Sequence, residues 1–135
     1  MADTLKAGLS KEAVPVTIDS PVYSARIMEL GEITVAFETI KADVDTAPIF
    51  RGLPDDRCPC PHWGLVVRGL MTMSYGDRDE VYEAGEVFYN PAGHLPSCPP
   101  GTELITFSPT EQLKGVNAHI ARVTAAIAGA HEAQS

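Results

Sequence analysis

The distribution of proline and glycine constrains the fold of this chain more than any other feature. Eleven prolines and eleven glycines lie among 135 residues, and most of them fall between residues 48 and 101. Proline interrupts a helix and glycine weakens one, so this stretch is too finely divided for long helices. The intervals between these residues suit short strands joined by turns. The sequence therefore predicts an all-β body.

Length and charge limit what such a body does. A chain of this length forms one domain, which we expect to span residues 1–135. The net charge is −8, and no Lys/Arg cluster is present to bind phosphates, which argues against nucleic acid and anionic membranes as partners. No apolar stretch approaches the roughly 20 residues of a membrane span, and no signal-peptide pattern opens the chain. With three cysteines that cannot all pair, we expect a cytoplasmic protein with free thiols.

Alternating apolar residues place the strands of the body, which we expect over about residues 22–109. The first two strands, Val22–Leu30 and Glu32–Lys41, form a predicted hairpin around Gly31, with Ile33, Val35 and Phe37 on one face. Further strands are predicted at Val14–Ile18, Ile49–Arg51, Gly64–Val67, Leu70–Tyr75, Glu80–Glu83, Glu86–Asn90 and Glu103–Phe107. Pro91–Gly101 is predicted to be a loop.

Helical patterns are confined to the two ends of the chain. A short helix is predicted near Thr4–Ala13. A helical segment is predicted over residues 110–131. Ser108 to Glu111 combine a capping box with proline at the start of a helix, and Gly115 is expected to end this first helix. A second helix near Asn117–Ala130 then follows. Its apolar stripe is expected to pack on the body; the stripe comprises Val116, Ile120, Val123 and Ile127.

Two stretches of the chain carry residues suited to chemistry. Residues 58–69 run Cys-Pro-Cys-Pro-His-Trp-Gly-Leu-Val-Val-Arg-Gly, and residues 85–94 run Gly-Glu-Val-Phe-Tyr-Asn-Pro-Ala-Gly-His. The second stretch resembles the second motif of the cupin superfamily, in the Pro-x-Gly-His variant of small single-domain members. The resemblance implies a single-domain cupin, a double-stranded β-helix or jelly-roll-like barrel with short C-terminal helices.

The first stretch departs from the usual cupin motif. If Gly69 is the glycine that ends this motif, His62 falls at the glutamate position, Cys58 at the second histidine and Asp56 at the first. The usual set of three histidines and one glutamate is therefore missing. The resemblance still implies that His62 points into the barrel.

Residue parity supports a site near His62. Asp56, Cys58, Cys60 and His62 alternate, so they share one face if the segment is extended. His94, 32 residues later on the neighbouring arm, is expected to face the same cavity. We therefore predict a site for a divalent transition metal (Zn, Fe, Ni or Cu), because imidazole and thiolate suit these ions. Its predicted ligands are His62, His94, Cys58 and Cys60. The alternative stays open that the histidines are hydrogen-bonded core residues and the cysteines small buried apolar ones.

A carboxylate near the end of the chain is the candidate catalytic group. Glu103 shares parity with Ile105 and Phe107, whose side chains are expected to face the core, where a carboxylate is costly unless paired or ligating. The alternative is a solvated position at the strand end.

Several functions are compatible with these residues. The resemblance implies a barrel that binds a metal and a small organic molecule, as an enzyme of the dioxygenase, isomerase or lyase class. The alternative is a non-enzymatic binding or sensing protein without a metal. A purely structural protein is a third alternative. Exposed sheet edges also predict a homodimer, with Ala13–Ile18 pairing between subunits.

Overall fold

The computed structural model describes residues 8–43 and 45–134, with side chains as far as Thr124 in the last helix. Within these residues, nine strands form two antiparallel sheets. The strands are β1 (Val16–Asp19), β2 (Tyr23–Leu30), β3 (Ile33–Ile40), β4 (His62–Arg68), β5 (Leu70–Ser74), β6 (Asp79–Glu83), β7 (Val87–Asn90), β8 (Leu95–Ser97) and β9 (Glu103–Pro109). The larger sheet has the order β1-β2-β3-β9-β4-β7, and the smaller has the order β6-β5-β8. The predicted all-β fold is confirmed.

The β2–β3 hairpin forms where the alternation predicted it. Tyr23 pairs with Ile40 at one end and Leu30 with Ile33 at the other. Gly31 has a φ of +67° in the connecting turn, a conformation that suits glycine better than other residues. The hairpin and its register follow from the two alternating segments and the glycine between them.

The main apolar core lies between the two sheets. It consists of Val66, Met71, Met73, Phe88 and Leu104. These residues alternate along their strands with exposed or half-buried ones, as expected for a sheet with one face in the core.

A second apolar cluster closes one end of the body. Phe50, Cys58, Cys60 and Val116 are its buried members. They join the helix α1 (Ala47–Phe50) and the helix α2 (Thr110–Gln134) to the segment that precedes β4.

The alternation along β9 decides which of its side chains face the interior. Leu104 belongs to the core between the sheets, so Thr106 and Ser108 share its inward face. Phe107 has the opposite parity and is 39% exposed. The expectation that Ile105 and Phe107 face the core is therefore wrong, because the inward face of this strand carries the small polar residues.

The structure differs from the prediction in local conformation at several points. Ile49 lies in helix α1, which has proline in its first turn, and the predicted strand Ile49–Arg51 is absent. The C-terminal segment is one helix that continues through Gly115, since Val116 beside it is buried in the second cluster. That packing outweighs the roughly 1 kcal/mol that a helical glycine costs. The predicted loop Pro91–Gly101 contains β8.

The N-terminal prediction is tested in part. Residues 4–7 of the predicted helix Thr4–Ala13 lie outside the described residues, and Lys11–Ala13 form a single 3₁₀ turn.

Among the helices that the structure describes, none combines the length and the apolar character that a membrane span requires.

Candidate metal centre

The segment before β4 and the loop after β7 meet through their backbones. The Cys58 amide donates to the His94 carbonyl at 3.0 Å, and the Gly93 amide donates to the Cys58 carbonyl at 2.8 Å. This isolated antiparallel bridge joins the two sequence motifs. It places the side chains of Cys58 and His94 near the start of β4, where His62 begins the strand.

Three side chains converge at this junction. One potential ligand atom from each of Cys58, His62 and His94 lies within 4.8 Å of the other two. The Cys58 Sγ atom is 3.6 Å from His62 Nε2. The two imidazole rings meet edge to face, with their centroids 4.8 Å apart and an angle of 61° between their planes. Three of the four predicted ligands are therefore neighbours.

Each imidazole is held by its other ring nitrogen. His94 Nδ1 lies 2.7 Å from the Pro91 carbonyl oxygen, which can only accept a hydrogen bond. His62 Nδ1 lies 2.7 Å from Ser108 Oγ on β9. These contacts orient both rings and leave the Nε2 atoms as the nitrogens suited to a metal, an arrangement typical of histidine ligands.

Burial controls the protonation of all three groups. It lowers the pKa of His62 to about 3, with a smaller effect from the neighbouring His94. Burial also lowers the pKa of His94. Both rings are therefore neutral at pH 7, the form that binds metals. Burial raises the pKa of the Cys58 thiol, so a metal that binds the sulfur must displace a proton.

The donor set fits a first-row transition metal. Zinc binds imidazole nitrogen at about 2.0–2.1 Å and thiolate sulfur at about 2.3 Å, so a nitrogen and a sulfur on one ion are at most about 4.4 Å apart. The Sγ–Nε2 distance of 3.6 Å lies inside this limit. The span of 4.8 Å for the whole group exceeds the separation that one ion allows, so the three side chains must move closer together to share an ion.

The other two predicted site residues lie elsewhere. Cys60 is buried in the second apolar cluster, and its Sγ atom lies 3.5 Å from the Pro61 carbonyl oxygen. Glu103 lies between two cations, with Lys11 Nζ at 3.5 Å and Arg68 Nε at 3.6 Å. Neither residue belongs to the group of potential ligands. The acid–base role of Glu103 stays a prediction. In the structure, this carboxylate forms ion pairs with Lys11 and Arg68.

The inward face of the larger sheet carries a carboxylate, Glu38, that was not among the predicted site residues. Glu38 Oε1 accepts a hydrogen bond from the Tyr23 hydroxyl at 2.5 Å, and Oε2 accepts one from the Thr106 hydroxyl at 2.9 Å. Burial raises the pKa of Glu38 more than these hydrogen bonds lower it. Thr106 and Ser108 share one face of β9, about 7 Å apart along the strand, so Glu38 and His62 occupy the same face. The sequence signal was the run of Thr34, Ala36 and Glu38 at alternate positions of β3.

A cavity of about 480 Å³ lies beside the backbone bridge between Cys58 and His94, and its lining does not include the side chains of Cys58, His62 and His94. Its lining includes Arg57, next to Cys58 in the chain, and Gly93, next to His94. Tyr75 lines another side, and its hydroxyl lies 3.2 Å from Asn90 Oδ1. Pockets of about 300–1,000 Å³ suit small organic ligands.

Comparison with known proteins identifies the fold through structure alone. No protein-family model and no curated protein matches the chain significantly. Among solved structures, an RmlC-like cupin from Shewanella frigidimarina is similar with a TM-score of 0.53 and 17% identity, over 78% of this chain and 92% of that one. The polyketide cyclase RemF from Streptomyces resistomycificus is similar with a TM-score of 0.56 and 15% identity, over 78% and 80% of the two chains. Fe(II) HppE is similar with a TM-score of 0.53 and 14% identity, over 78% of this chain and 60% of that one.

These similarities support the predicted cupin architecture. The identities are too low to carry a function from one chain to another, so the function has to be argued from the site.

Proposed function

We propose that this protein binds a first-row transition metal through Cys58, His62 and His94 and a small organic molecule beside it. The observation that carries the proposal is the convergence of three donor atoms within 4.8 Å, at a point where both imidazoles are already oriented through Nδ1. Nitrogen and sulfur donors favour Zn, Fe, Ni or Cu over Mg or Ca.

The residues of the site have distinct roles in this proposal. His62 and His94 supply neutral nitrogen ligands, and the Cys58 thiol gives up its proton on binding. Ser108 and the Pro91 carbonyl keep the rings in place. A bound ion would supply Lewis-acid polarisation of an oxygen atom of the organic molecule.

The adjoining cavity supports the small-molecule part of the proposal, since its volume of about 480 Å³ suits a compact ligand. An enzyme of the dioxygenase, isomerase or lyase class is the version that we favour. Two of the similar solved structures, RemF and Fe(II) HppE, are a cyclase and an iron-containing protein by name. A proton-transfer group inside the body is also available at Glu38.

Elemental analysis of protein purified without added metal tests the proposal. We expect close to one equivalent of a first-row metal per chain, and its loss when His62 and His94 are both replaced by alanine. Cys58→Ser should weaken metal binding, while Cys60→Ser is the matched control and should retain the metal, because Cys60 lies outside the ligand group. Circular dichroism verifies that each variant folds. Wild-type protein that takes up no first-row metal, even when offered it, would refute the metal centre.

A metal-free binding or sensing protein is the second candidate. Without an ion, the Cys58 Sγ and His62 Nε2 atoms still contact each other at 3.6 Å, and both Nδ1 atoms have hydrogen-bond partners. Among the described residues, every buried side-chain nitrogen and oxygen has a hydrogen-bond partner. A retained organic molecule in metal-free protein, detected by mass spectrometry, would favour this candidate.

We also propose that the protein is a homodimer. Trp63 stacks on Tyr89 on the outer face of the larger sheet, with ring centroids 5.1 Å apart. Phe107 pairs with Trp63 across β4 and β9, and Val87 lies nearby on the edge strand β7, 79% exposed. Contiguous exposed apolar side chains favour an interface. Light scattering should give a dimer mass for the wild type and a monomer mass for Trp63→Glu; a monomeric wild type at high concentration would contradict the proposal.

A further inference from the structure

The cavity beside the metal-ligand cluster contains an arginine whose hydrogen-bonding capacity is largely uncommitted. Arg57 Nη1 donates to the Ser74 carbonyl at 2.9 Å, and Ser74 Oγ lies 3.4 Å away. These contacts anchor one end of the guanidinium. No ion pair links Arg57 to a carboxylate among the residues that the structure describes, although Arg57 is half-buried in an acidic protein.

Arg57 lies close in the chain to two of the potential metal ligands, Cys58 and His62. Arg57 directly precedes Cys58, and the cavity it lines is also lined by Gly93, which directly precedes His94. The backbone bridge between Cys58 and His94 holds the two loops together. The cavity therefore lies beside the bridge that carries Cys58 and His94, and its lining comes from the residues that precede them.

The chain around Arg57 is built at a conformational cost. Asp55 and Asp56 have φ values of 56° and 55°, a left-handed conformation that is uncommon for residues other than glycine. The Asp56 carboxylate stabilises the turn by accepting a hydrogen bond from the Gly52 amide at 2.9 Å. Such strain is concentrated at functional sites, and here it sets the direction in which Arg57 leaves the turn.

Glycine at position 76 provides room for the guanidinium. A Cβ atom at Gly76 would lie 3.5 Å from Arg57 Nη2 and 3.8 Å from Nε. The side of the guanidinium that is not bonded to Ser74 therefore lies over a backbone without a side chain. Nη2 and Nε remain as donors, and adjacent donors of a guanidinium match the two oxygens of a carboxylate.

The other charges of the cavity limit the charge of its ligand. Arg78 lies on the rim, with Nη1 3.3 Å from Asp77 and Nε 3.0 Å from Glu80, so its charge is already balanced. Asp55 also lines the cavity and opposes additional negative charge. Among the described residues around the cavity, Arg57 is the cation without an ion pair, and the surrounding carboxylates repel a dianion more strongly than a monoanion.

We propose that Arg57 binds the carboxylate of a small organic monocarboxylate in the cavity beside the bridge that carries Cys58 and His94. This assignment rests on the proposed small-molecule site and names its ligand class. Arg57 is a specificity-determining residue in this arrangement, since it supplies the charge-assisted hydrogen bonds that an uncharged analogue cannot receive.

Binding of lactate and of its uncharged analogue lactamide, measured by calorimetry on the protein as purified, tests the proposal. We expect lactate to bind at least tenfold more tightly than lactamide and more tightly than the dianion malonate. Arg57→Gln should remove the preference for lactate. Arg68→Gln is the matched control and should leave it unchanged, because Arg68 is exposed and pairs with Glu103. If Arg57→Gln does not fold, Arg57→Lys keeps the positive charge but not the fork and should still weaken lactate binding.

The metal content of every sample is measured in parallel, so that the two proposals can fail separately. Arg57-dependent lactate binding by metal-free protein would support the carboxylate site and count against the metal centre. Metal-loaded protein that binds lactate and lactamide equally, or that binds lactate equally with and without Arg57, would overturn the carboxylate site and leave the metal centre intact.

Discussion

Replacing Ser108 by alanine should weaken metal binding without removing a metal ligand. The Ser108 hydroxyl lies 2.7 Å from His62 Nδ1 and is the side-chain contact that orients this ring towards Cys58. Ser108 is buried, so in the variant a proton on Nδ1 loses its partner where water does not readily replace it. An unsatisfied buried donor costs about 1–3 kcal/mol. If His62 binds the metal through Nε2, this cost corresponds to about 5-fold to 150-fold weaker binding, and loss of such an outer partner typically costs about 10–100-fold.

Competition with a chromophoric chelator measures this affinity directly. Thr34→Val is a matched control, since Thr34 is buried on the same side of the larger sheet but bonds to Thr110, with the two hydroxyl oxygens 2.9 Å apart. It should lower the free energy of unfolding and leave metal affinity unchanged. Equal affinities for wild type and Ser108→Ala would refute the role of Ser108, and equal weakening by Thr34→Val would show that the effect is not specific to the site.

Three further predictions concern stability, measured by urea unfolding of metal-free protein. The pKa of His62 is about 3 in the folded state and about 6.5 in the unfolded state. The free energy of unfolding should therefore fall as the pH drops from 6.5 towards 3, by up to about 1.4 kcal/mol per pH unit. His62→Gln should reduce this slope, and an unchanged slope would contradict the assignment of the slope to His62. The pKa of Glu38 is raised by burial, so its contribution is present below about pH 4.5 and is lost as the pH rises through the folded-state pKa. Glu38→Gln should therefore improve stability relative to wild type more at pH 8 than at pH 4, and the opposite trend would disprove the buried-carboxylate argument. Gly64→Ala should destabilise the fold by about 1–3 kcal/mol, because its Cβ would lie against the Ile105 carbonyl oxygen of the neighbouring strand and 2.5 Å from Phe88 Cζ; a neutral effect would show that Phe88 and the β4 backbone shift easily at this point.

The strands were predictable because their signals are local. Alternation in the hairpin and a glycine that suits its turn require no knowledge of the rest of the chain. The errors fall where packing between distant segments decides the outcome. Gly115 is a helix terminator by propensity, but the neighbouring Val116 is buried against Phe50 and Cys58, and this contact continues the helix. The sequence around Gly115 does not contain that information.

The convergence of Cys58, His62 and His94 was predictable in part, and for different reasons at each residue. Parity selected Cys58 and Cys60 together with His62, on the assumption that residues 56–62 are extended. The strand begins only at His62, and Pro59 and Pro61 precede it, so the parity rule does not apply to the two cysteines. Cys58 approaches the two histidines because its backbone pairs with His94, whereas Cys60 shares the apolar cluster with Cys58 but contributes no atom to the group of potential ligands. A pairing between residues 36 positions apart was visible only through the family resemblance.

Glu103 and Glu38 show how an assumption about which face of β9 is buried decides which carboxylate is assigned to the interior. Apolar residues at 105 and 107 suggested that odd positions of β9 face the core, which made Glu103 the interior carboxylate. In the structure, Leu104 on the even face packs between the sheets, and Glu103 lies outward between Lys11 and Arg68. A shift of one residue exchanges the two faces of a strand, so the same correction moves Thr106 inward, where it donates to Glu38. The apolar outer face that carries Ile105 and Phe107 is the surface that we propose for dimerisation. A sequence that buries apolar residues on both faces of a sheet, one in the core and one against a second subunit, cannot reveal by alternation alone which face is which.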